Sequence, residues 1–183
     1  MNEPAIIELQ VERVDRLFDA LDPFPIPSRD LASQAEDFIV GWARELPSDA
    51  ALCIVVHVPR NEADSEAARQ APAAFQRYFA HRAQRISGDI AELFRIGRYS
   101  LLIGLGVLAA CIIAGRILDA LFAPGDVARF LKEGLLILGW VANWRPIEIF
   151  FYDWWPLTRR RELFLRLAAA PVEVRPEDEP PRR

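Results

Sequence analysis

Arg145 and Glu148 are the two side chains of this sequence best placed to do chemistry, because they follow a long apolar run. Residues three apart lie on one face of an α-helix, and Tyr152 follows one turn later. An ionisable pair inside lipid is costly to keep, so by default it is a hypothesis of a functional site. The alternative is structural: the charges neutralise each other where Pro146 breaks the helix, and Arg145 extends toward the headgroups. The sequence leaves both interpretations open.

A second group of charges flanks a predicted turn between two helices. Arg116 and Asp119 are three residues apart near the end of the first helix. An antiparallel turn centred near residue 125 brings three further charged residues opposite them: Arg129, Lys132 and Glu133. We therefore predict an ion network at this end of the helices, in contact with water, where ion pairs contribute little.

The patterns that indicate catalysis or cofactor binding are weak here. Cys53 and His57 share one face of a predicted strand, but the strand is apolar and offers no acidic third member, so we interpret both as packing residues. Glu148 and Asp153 are five residues apart, roughly 140° round a regular helix, and so do not form an acid/base couple. Gly104-Leu105-Gly106 lies within an apolar run and not between a strand and a helix, so it predicts close helix packing and not a phosphate-binding loop. We predict no catalytic residue, metal site or cofactor.

Composition excludes several classes of protein. The chain has 183 residues, 52% of them hydrophobic, and a formal net charge of -4. Two cysteines in unlike surroundings do not predict a disulfide framework. The balance of charge is acidic and no basic stripe carries interleaved aromatic residues, so we expect no nucleic-acid partner. The first residues lack a basic segment followed by an apolar one, so we expect no secretory signal peptide.

The longest apolar run predicts a membrane span. Seventeen residues without a charge, from Tyr99 to Gly115, are followed by mostly apolar residues up to Phe122. At about 1.5 Å per residue, a helix over this stretch reaches about 36 Å, more than the roughly 30 Å of a hydrocarbon core. The alternative is a buried core helix. A turn signal at residues 123–126 and a second apolar helix then predict an antiparallel two-helix transmembrane hairpin over residues 99–156.

Two sets of residues are expected to hold this hairpin together and in place. Gly106, Ala110 and Ala114 recur at four-residue spacing, which lets another helix approach closely, and Trp140 is expected opposite Ala110. Aromatic and basic residues suit the headgroup level at the other end. These predicted interface anchors are Trp144, Tyr152, Trp154, Trp155, Arg159, Arg160 and Arg161.

The amino-terminal part predicts a small α/β head. Residues 6–13 alternate apolar and polar, as in a half-buried strand, and residues 51–58 form a continuous apolar run typical of a strand covered on both faces. An amphipathic helix between them completes a small β-α-β unit. The predicted fold class is this cytosolic head, followed by an amphipathic helix and the two-helix hairpin. The amphipathic helix either continues into the first span or breaks at Ser87-Gly88-Asp89, which can end one helix and cap the next.

The sequence thus predicts four domains or segments. They are the α/β head at residues 1–60, an amphipathic helical linker at 61–98, the hairpin with its aromatic interfacial end at 99–156, and a basic juxtamembrane segment with a disordered tail at 157–183. The carboxyl-terminal residues are rich in proline and mixed in charge, a composition typical of disorder.

The arginines predict an orientation and the class of protein. They precede the first span and follow the second, so the positive-inside rule places both termini in the cytoplasm. We expect a small integral protein of a bacterial-type inner membrane that acts without catalysis as an accessory, scaffolding or assembly factor. An oligomeric channel or transporter subunit is the alternative, and a membrane-anchored enzyme is the third hypothesis. The expected partners are the lipid bilayer and either further copies of this chain or another membrane protein.

Overall fold

The computed structural model describes residues 5–47, 49–122 and 125–177. The chain divides into two compact units. The first, which we call the head, combines residues up to 85 with residues from 159 onward. The second, which we call the apolar unit, comprises residues 86–158. The head is therefore built from both ends of the chain.

The head contains a sheet of three parallel strands. These are β1 (Ala5–Gln10), β2 (Leu52–Val58) and β3 (Val172–Pro176), in the order β1-β2-β3. Helix α1 (Ser33–Glu45) links β1 to β2 as a β-α-β unit. A short helix, α2 (Arg60–Ala63), follows β2, and two 3₁₀ turns lie between β1 and α1.

One face of the sheet forms the main core of the head. Residues paired across neighbouring strands point to the same side, and Ile7, Ile54 and Val172 share one side in this way. Ile7 and Ile54 are completely buried. On the other face of the sheet, the side chains of the flanking strands are more exposed, and Ile6 has 49% of its surface exposed. The sheet is thus covered well on one side only.

Helices α3 (Glu66–Leu121) and α6 (Trp154–Ala169) supply the aromatic part of this core. Phe75 and Phe79 lie one turn apart on α3 with ring centroids 6.3 Å apart, and Phe79 stacks on Phe164 of α6 at 6.1 Å. All three rings are buried to within 1%. Burial of aromatic rings of this size is among the largest contributions that a small core can contain.

The apolar unit contains the second part of α3 and three further helical segments. They are α4 (Asp126–Val141), α5 (Trp144–Glu148) and a five-residue π-helical segment (Ile149–Asp153), which continues into the start of α6. Two residues separate α4 from α5, and the π-helical segment and α6 then follow α5 without a gap.

The fold class predicted from the sequence is wrong. The structure has a single 56-residue helix, α3, where an amphipathic linker and a separate first span were expected, and it does not show a two-helix transmembrane hairpin. Ser87, Gly88 and Asp89 do not interrupt α3, since nothing touches the Gly88 position and a helix tolerates one exposed glycine. Helix α4 has only 16 residues, and three of the charges of the second predicted span lie within it.

The third strand also departs from the expectation of a disordered tail. Val172 and Val174 of β3 pair with Ile54 and Val56 of β2, although prolines flank them. The pairing succeeds because β3 is a short edge strand, where proline is tolerated. The remainder of the predicted tail, residues 178–183, lies outside the described residues.

Candidate functional site

Arg145, in α5 just before the π-helical segment, lies between two carboxylates. One guanidinium nitrogen is 3.2 Å from a carboxylate oxygen of Glu148 and 3.0 Å from one of Asp153. The indole N–H of Trp144 donates to the other oxygen of Glu148 at 2.9 Å. The side chains of Arg145 and Glu148 are 58% and 41% exposed, so this is a surface cluster. Exposed pairs of this kind contribute about 0.2–1 kcal/mol each.

The π-helical segment brings Asp153 to this cluster. On a regular helix Asp153 would lie roughly 140° round from Glu148. The i→i+5 hydrogen bonds of a π-helix place more residues in each turn, so each residue rotates less and Asp153 moves toward the face of Arg145. The sequence carried no clear signal of this segment, and the carboxylate of Asp153 was therefore missed as a partner of Arg145.

Two glycines, Gly104 and Gly139, make the close contact between α3 and α4; the sequence associated Gly104 with helix packing but not Gly139. A Cβ at Gly104 would lie 2.7 Å from the Asn143 amide oxygen and 2.9 Å from the Ala142 carbonyl, and one at Gly139 would lie 3.2 Å from the Leu108 Cα. Such distances leave no room for a side chain. These glycines therefore let α3 and α4 approach closely.

The predicted packing stripe lies elsewhere. Gly106 has nothing within 4 Å of its Cβ position, and both Gly106 and Ala110 are exposed, while Ala114 is half-buried. Trp140 is 61% exposed and contacts the Trp144 ring at 5.8 Å. The structure thus leaves the stripe on the surface of the apolar unit and not at the contact between α3 and α4.

Asn143 is the buried polar residue of this contact. Its amide N–H groups donate to the Gly104 carbonyl at 3.1 Å, across to α3, and to the Gly139 carbonyl at 2.9 Å. Only 9% of the residue is exposed, and its amide oxygen has no hydrogen-bond partner. A buried side-chain amide that spans two helices orients them, because any other register leaves its donors unpaired.

Arg116 and Asp119 lie in a cleft between α3 and the start of α4. The cleft has a volume of about 510 Å³, and Arg129, Lys132 and Glu133 also line it. The ammonium of Lys132 bonds to the Asp119 carboxylate. Five charged side chains that are far apart in sequence are thus collected in one place.

Most of the apolar unit's surface is hydrophobic and uncovered. Ile103 and Ile113 of α3 are 69% and 58% exposed, and Leu136 and Ile137 of α4 are 58% and 63% exposed. Within the described residues one helix, α3, is long and apolar enough to cross a membrane, and only 17% of its most apolar window is buried. A core helix of a soluble protein would be mostly covered.

The predicted interface anchors fall into both units. In the apolar unit Trp144, Tyr152 and Trp155 are 51%, 71% and 55% exposed, while the indole of Trp154 donates to the Phe150 carbonyl at 2.9 Å. Arg159, Arg160 and Arg161 belong to the head. The guanidinium of Arg160 lies 5.8 Å from the centre of the Phe164 ring. Arg160 thus lies against the aromatic core of the head.

A polar group joins α1 to α3 in the head. The Tyr78 hydroxyl donates to a Glu36 oxygen at 2.7 Å, and the Arg82 guanidinium donates to the other oxygen at 2.9 Å. Only 14% of the Glu36 side chain is exposed. Burial, followed by the hydrogen bond and the charge of Glu36, raises the pKa of Tyr78 above its ordinary value. The phenol is therefore a donor that fixes α1 against α3.

Cys53 and His57 lie on the more open face of the sheet. Cys53 is 8% exposed, and burial, together with the charge of Glu173, raises the pKa of its thiol. A raised pKa disfavours the reactive thiolate. An imidazole nitrogen of His57 lies 3.8 Å from a Glu8 oxygen. Across the described part of the chain, no three His, Cys, Asp or Glu side chains form a group that could hold a metal ion.

Comparison with protein families, with curated proteins and with solved structures finds no match for this chain. Its function is therefore argued from the residues and contacts described above.

Proposed function

We propose that this protein is a membrane-anchored accessory factor that holds a partner protein at the cytoplasmic surface of a bacterial-type inner membrane. The observation that carries this proposal is the uncovered hydrophobic surface of the apolar unit, on which Ile103 and Leu121 are 69% and 74% exposed. In water such a surface is unfavourable by about 25 cal/mol per Å² of apolar area. In lipid it needs no protein cover.

The sheet of the head supports an arrangement with both chain ends on one side of the membrane. Strands β1 and β3 both pair with β2, so residues 5–10 and 172–176 share one compartment. The chain therefore enters and leaves the apolar unit from one compartment. Arginines precede and follow this unit, which favours the cytoplasm as that side.

The head offers an exposed aromatic pair for a partner. Phe38 and Trp42 lie one turn apart on α1, are 45% and 49% exposed, and have ring centroids 6.2 Å apart. Large aromatic residues are enriched where proteins bind each other. Replacing both by serine would test their role in binding without touching the core.

Extraction from membranes tests the anchoring. We expect the full-length protein to stay in the membrane fraction at alkaline pH, and the Ile103→Lys/Ile113→Lys variant to be released, because a charge within lipid is costly. The matched control is Ile6→Lys/Leu21→Lys, which adds the same charge to exposed apolar positions of the head. Release of the unchanged protein would contradict the anchoring.

Cross-linking from Trp42 tests the accessory role. A photoreactive residue at position 42 should give an adduct with a second, different protein in cells, and the same residue at position 16, on another exposed part of the head, should not. No adduct at position 42, or an adduct with a second copy only, would contradict the accessory role.

An oligomeric channel subunit is the second candidate, and the exposed stripe of Gly106, Ala110 and Ala114 favours it. A small-residue stripe that α4 does not use is available to a further copy. Against a pore, Arg145 has two carboxylate partners within its own chain. The channel would be supported by two results together: a particle in detergent with the mass of a ring-shaped oligomer, and ion flux in liposomes that Ala110→Trp abolishes. A monomer or dimer without flux decides for the accessory factor.

A further inference from the structure

The cleft between α3 and α4 contains two arginines that the protein does not neutralise. Lys132 is paired with Asp119. Within the described ranges of the chain, the guanidinium groups of Arg116 and Arg129 have no ion-pair or hydrogen-bond partner, and the remaining carboxylate, Glu133, has no ion pair either. Three cations and two carboxylates line the cleft, so it carries one net positive charge.

Hydrophobic surface surrounds these charges. Leu121 and Phe130, near the turn between the two helices, are 74% and 75% exposed. Ile112 and Leu136 line the cleft and are 46% and 58% exposed. In lipid, isolated guanidinium groups amid such residues are costly unless an anion accompanies them. The surroundings therefore favour an anion bound between the two arginines.

The shape of the cleft indicates what carries that anion. A volume of about 510 Å³ lies within the range of small-molecule sites, and its charged part adjoins an apolar part. A free inorganic anion would leave Ile112 and Leu136 uncovered. A phospholipid meets both needs, since its phosphate suits arginine and its acyl chains suit the apolar side chains.

We propose that this cleft binds an anionic phospholipid, with Arg116 and Arg129 donating hydrogen bonds to the phosphate and the acyl chains lying along Ile112 and Leu136. The proposal rests on the proposed membrane location. Binding adds the counter-ion that the chain does not supply, and it joins α3 to α4 at the end away from the Asn143 contact.

Native mass spectrometry of the full-length protein in mild detergent tests this site, with phosphatidylglycerol as the probe. We expect one retained lipid on the unchanged protein, and retention lowered at least about tenfold in Arg116→Gln/Arg129→Gln, since each charge near an anionic lipid matters. The matched control, Arg44→Gln/Arg98→Gln, removes two exposed arginines outside the cleft and should retain the lipid. Circular dichroism of both variants shows whether they are folded.

Three outcomes would overturn the proposal. They are equal retention by the folded cleft variant and its control, retention of uncharged diacylglycerol as strong as that of phosphatidylglycerol, and displacement of the lipid by low millimolar inorganic phosphate, which would assign the site to a free anion. The assay is done in detergent and does not need the protein to be in a membrane. A negative result therefore contradicts lipid binding in the cleft without contradicting the membrane anchoring. Release of the protein from membranes would contradict the anchoring even if the cleft bound lipid.

Discussion

At the scale of single residues, Asn143 determines how the two helices of the apolar unit meet. It donates to one carbonyl on α3 and one on α4, and a glycine at position 104 makes room for it. Its unpaired amide oxygen shows that the contact uses the donors of the side chain and not its acceptor. Whether the side chain at position 143 can donate hydrogen bonds should therefore matter more than its size.

Replacing Asn143 by Asp should destabilise the apolar unit more than replacing it by Ala. Ala removes two hydrogen bonds, a loss of about 1–2 kcal/mol, whereas Asp directs a carboxylate at two carbonyl oxygens. Unfolding in a detergent titration, followed by tryptophan fluorescence, measures both. An Asp variant as stable as the Ala variant would show that the donors do not hold the helices.

Gly104→Ala should destabilise the protein by about 1–3 kcal/mol, while Gly106→Ala should be neutral or slightly stabilising. At position 104 the added Cβ meets a backbone carbonyl at 2.9 Å, which cannot move cheaply, and at position 106 it meets nothing. The two variants make the same chemical change two residues apart. Equal effects of the two substitutions on stability would contradict a contact of α4 with the face of α3 that carries Gly104.

Tyr78 makes the head sensitive to alkali. Its pKa is raised in the folded protein, mainly by burial, so the unfolded chain releases the phenolic proton first. The stability that this hydroxyl contributes is complete below the ordinary pKa of about 10 and is lost as pH rises above it. Tyr78→Phe should be less stable than the unchanged protein at pH 8, and the difference should narrow above pH 10. Urea unfolding at several pH values measures this, and a constant difference would contradict it.

At the scale of elements, the π-helical segment brings together a charged cluster of which the sequence predicted only one pair. The spacing of Arg145 and Glu148 predicts that they are neighbours, and they are in contact. The partnership of Arg145 with Asp153 could not be predicted, because a regular helix separates Asp153 from Glu148 and no residue type marks a π turn. Close helix packing was predicted for Gly104 and Gly106 together, but the sequence could not show that Gly104 alone makes the contact, because spacing does not show which face of an apolar helix is covered.

Deleting Phe151 should cost little more than replacing it by Ala. Phe151 is 71% exposed, so truncating its ring removes little packing. Deletion removes one residue from the π turn and restores α-helical spacing, which leaves Arg145 and the aspartate seven positions apart, about 20° from each other round a regular helix, so they stay on one face. Thermal unfolding of both variants in detergent measures the difference. A much lower melting temperature of the deletion variant would show that the π turn itself is needed for this contact.

At the scale of the whole molecule, the head closes only through residues from both ends of the chain. Two strands and one helix could be predicted from periodicity, because strong alternation and β-branched runs mark them. The third strand could not, since its prolines and charges resemble a disordered tail and its pairing with β2 depends on residues more than a hundred positions away. The sequence left the continuity of α3 open, because Ser87-Gly88-Asp89 resembles a helix end although nothing in the pattern requires a break there.

A chain that ends at Ala170 should lose the folded head, whereas a chain that ends at Glu177 should keep it. The shorter chain lacks β3, together with the bond from the Ile54 amide to the Pro171 carbonyl and the pairs along β2. The longer one keeps both. Resistance of the head to limited proteolysis measures this, and equal resistance would show that β3 is dispensable.

The position of β3 in the sheet also sets the order of events during synthesis. Ribosomes release β1, α1 and β2 first, then the whole of the apolar unit, and only afterwards the strand that completes the sheet. Until then the β2 edge that pairs with β3 is exposed, and an unpaired strand edge invites pairing with other chains. The nascent head therefore stays incomplete, and able to aggregate with neighbouring chains, for as long as the ribosome takes to synthesise the apolar unit and α6.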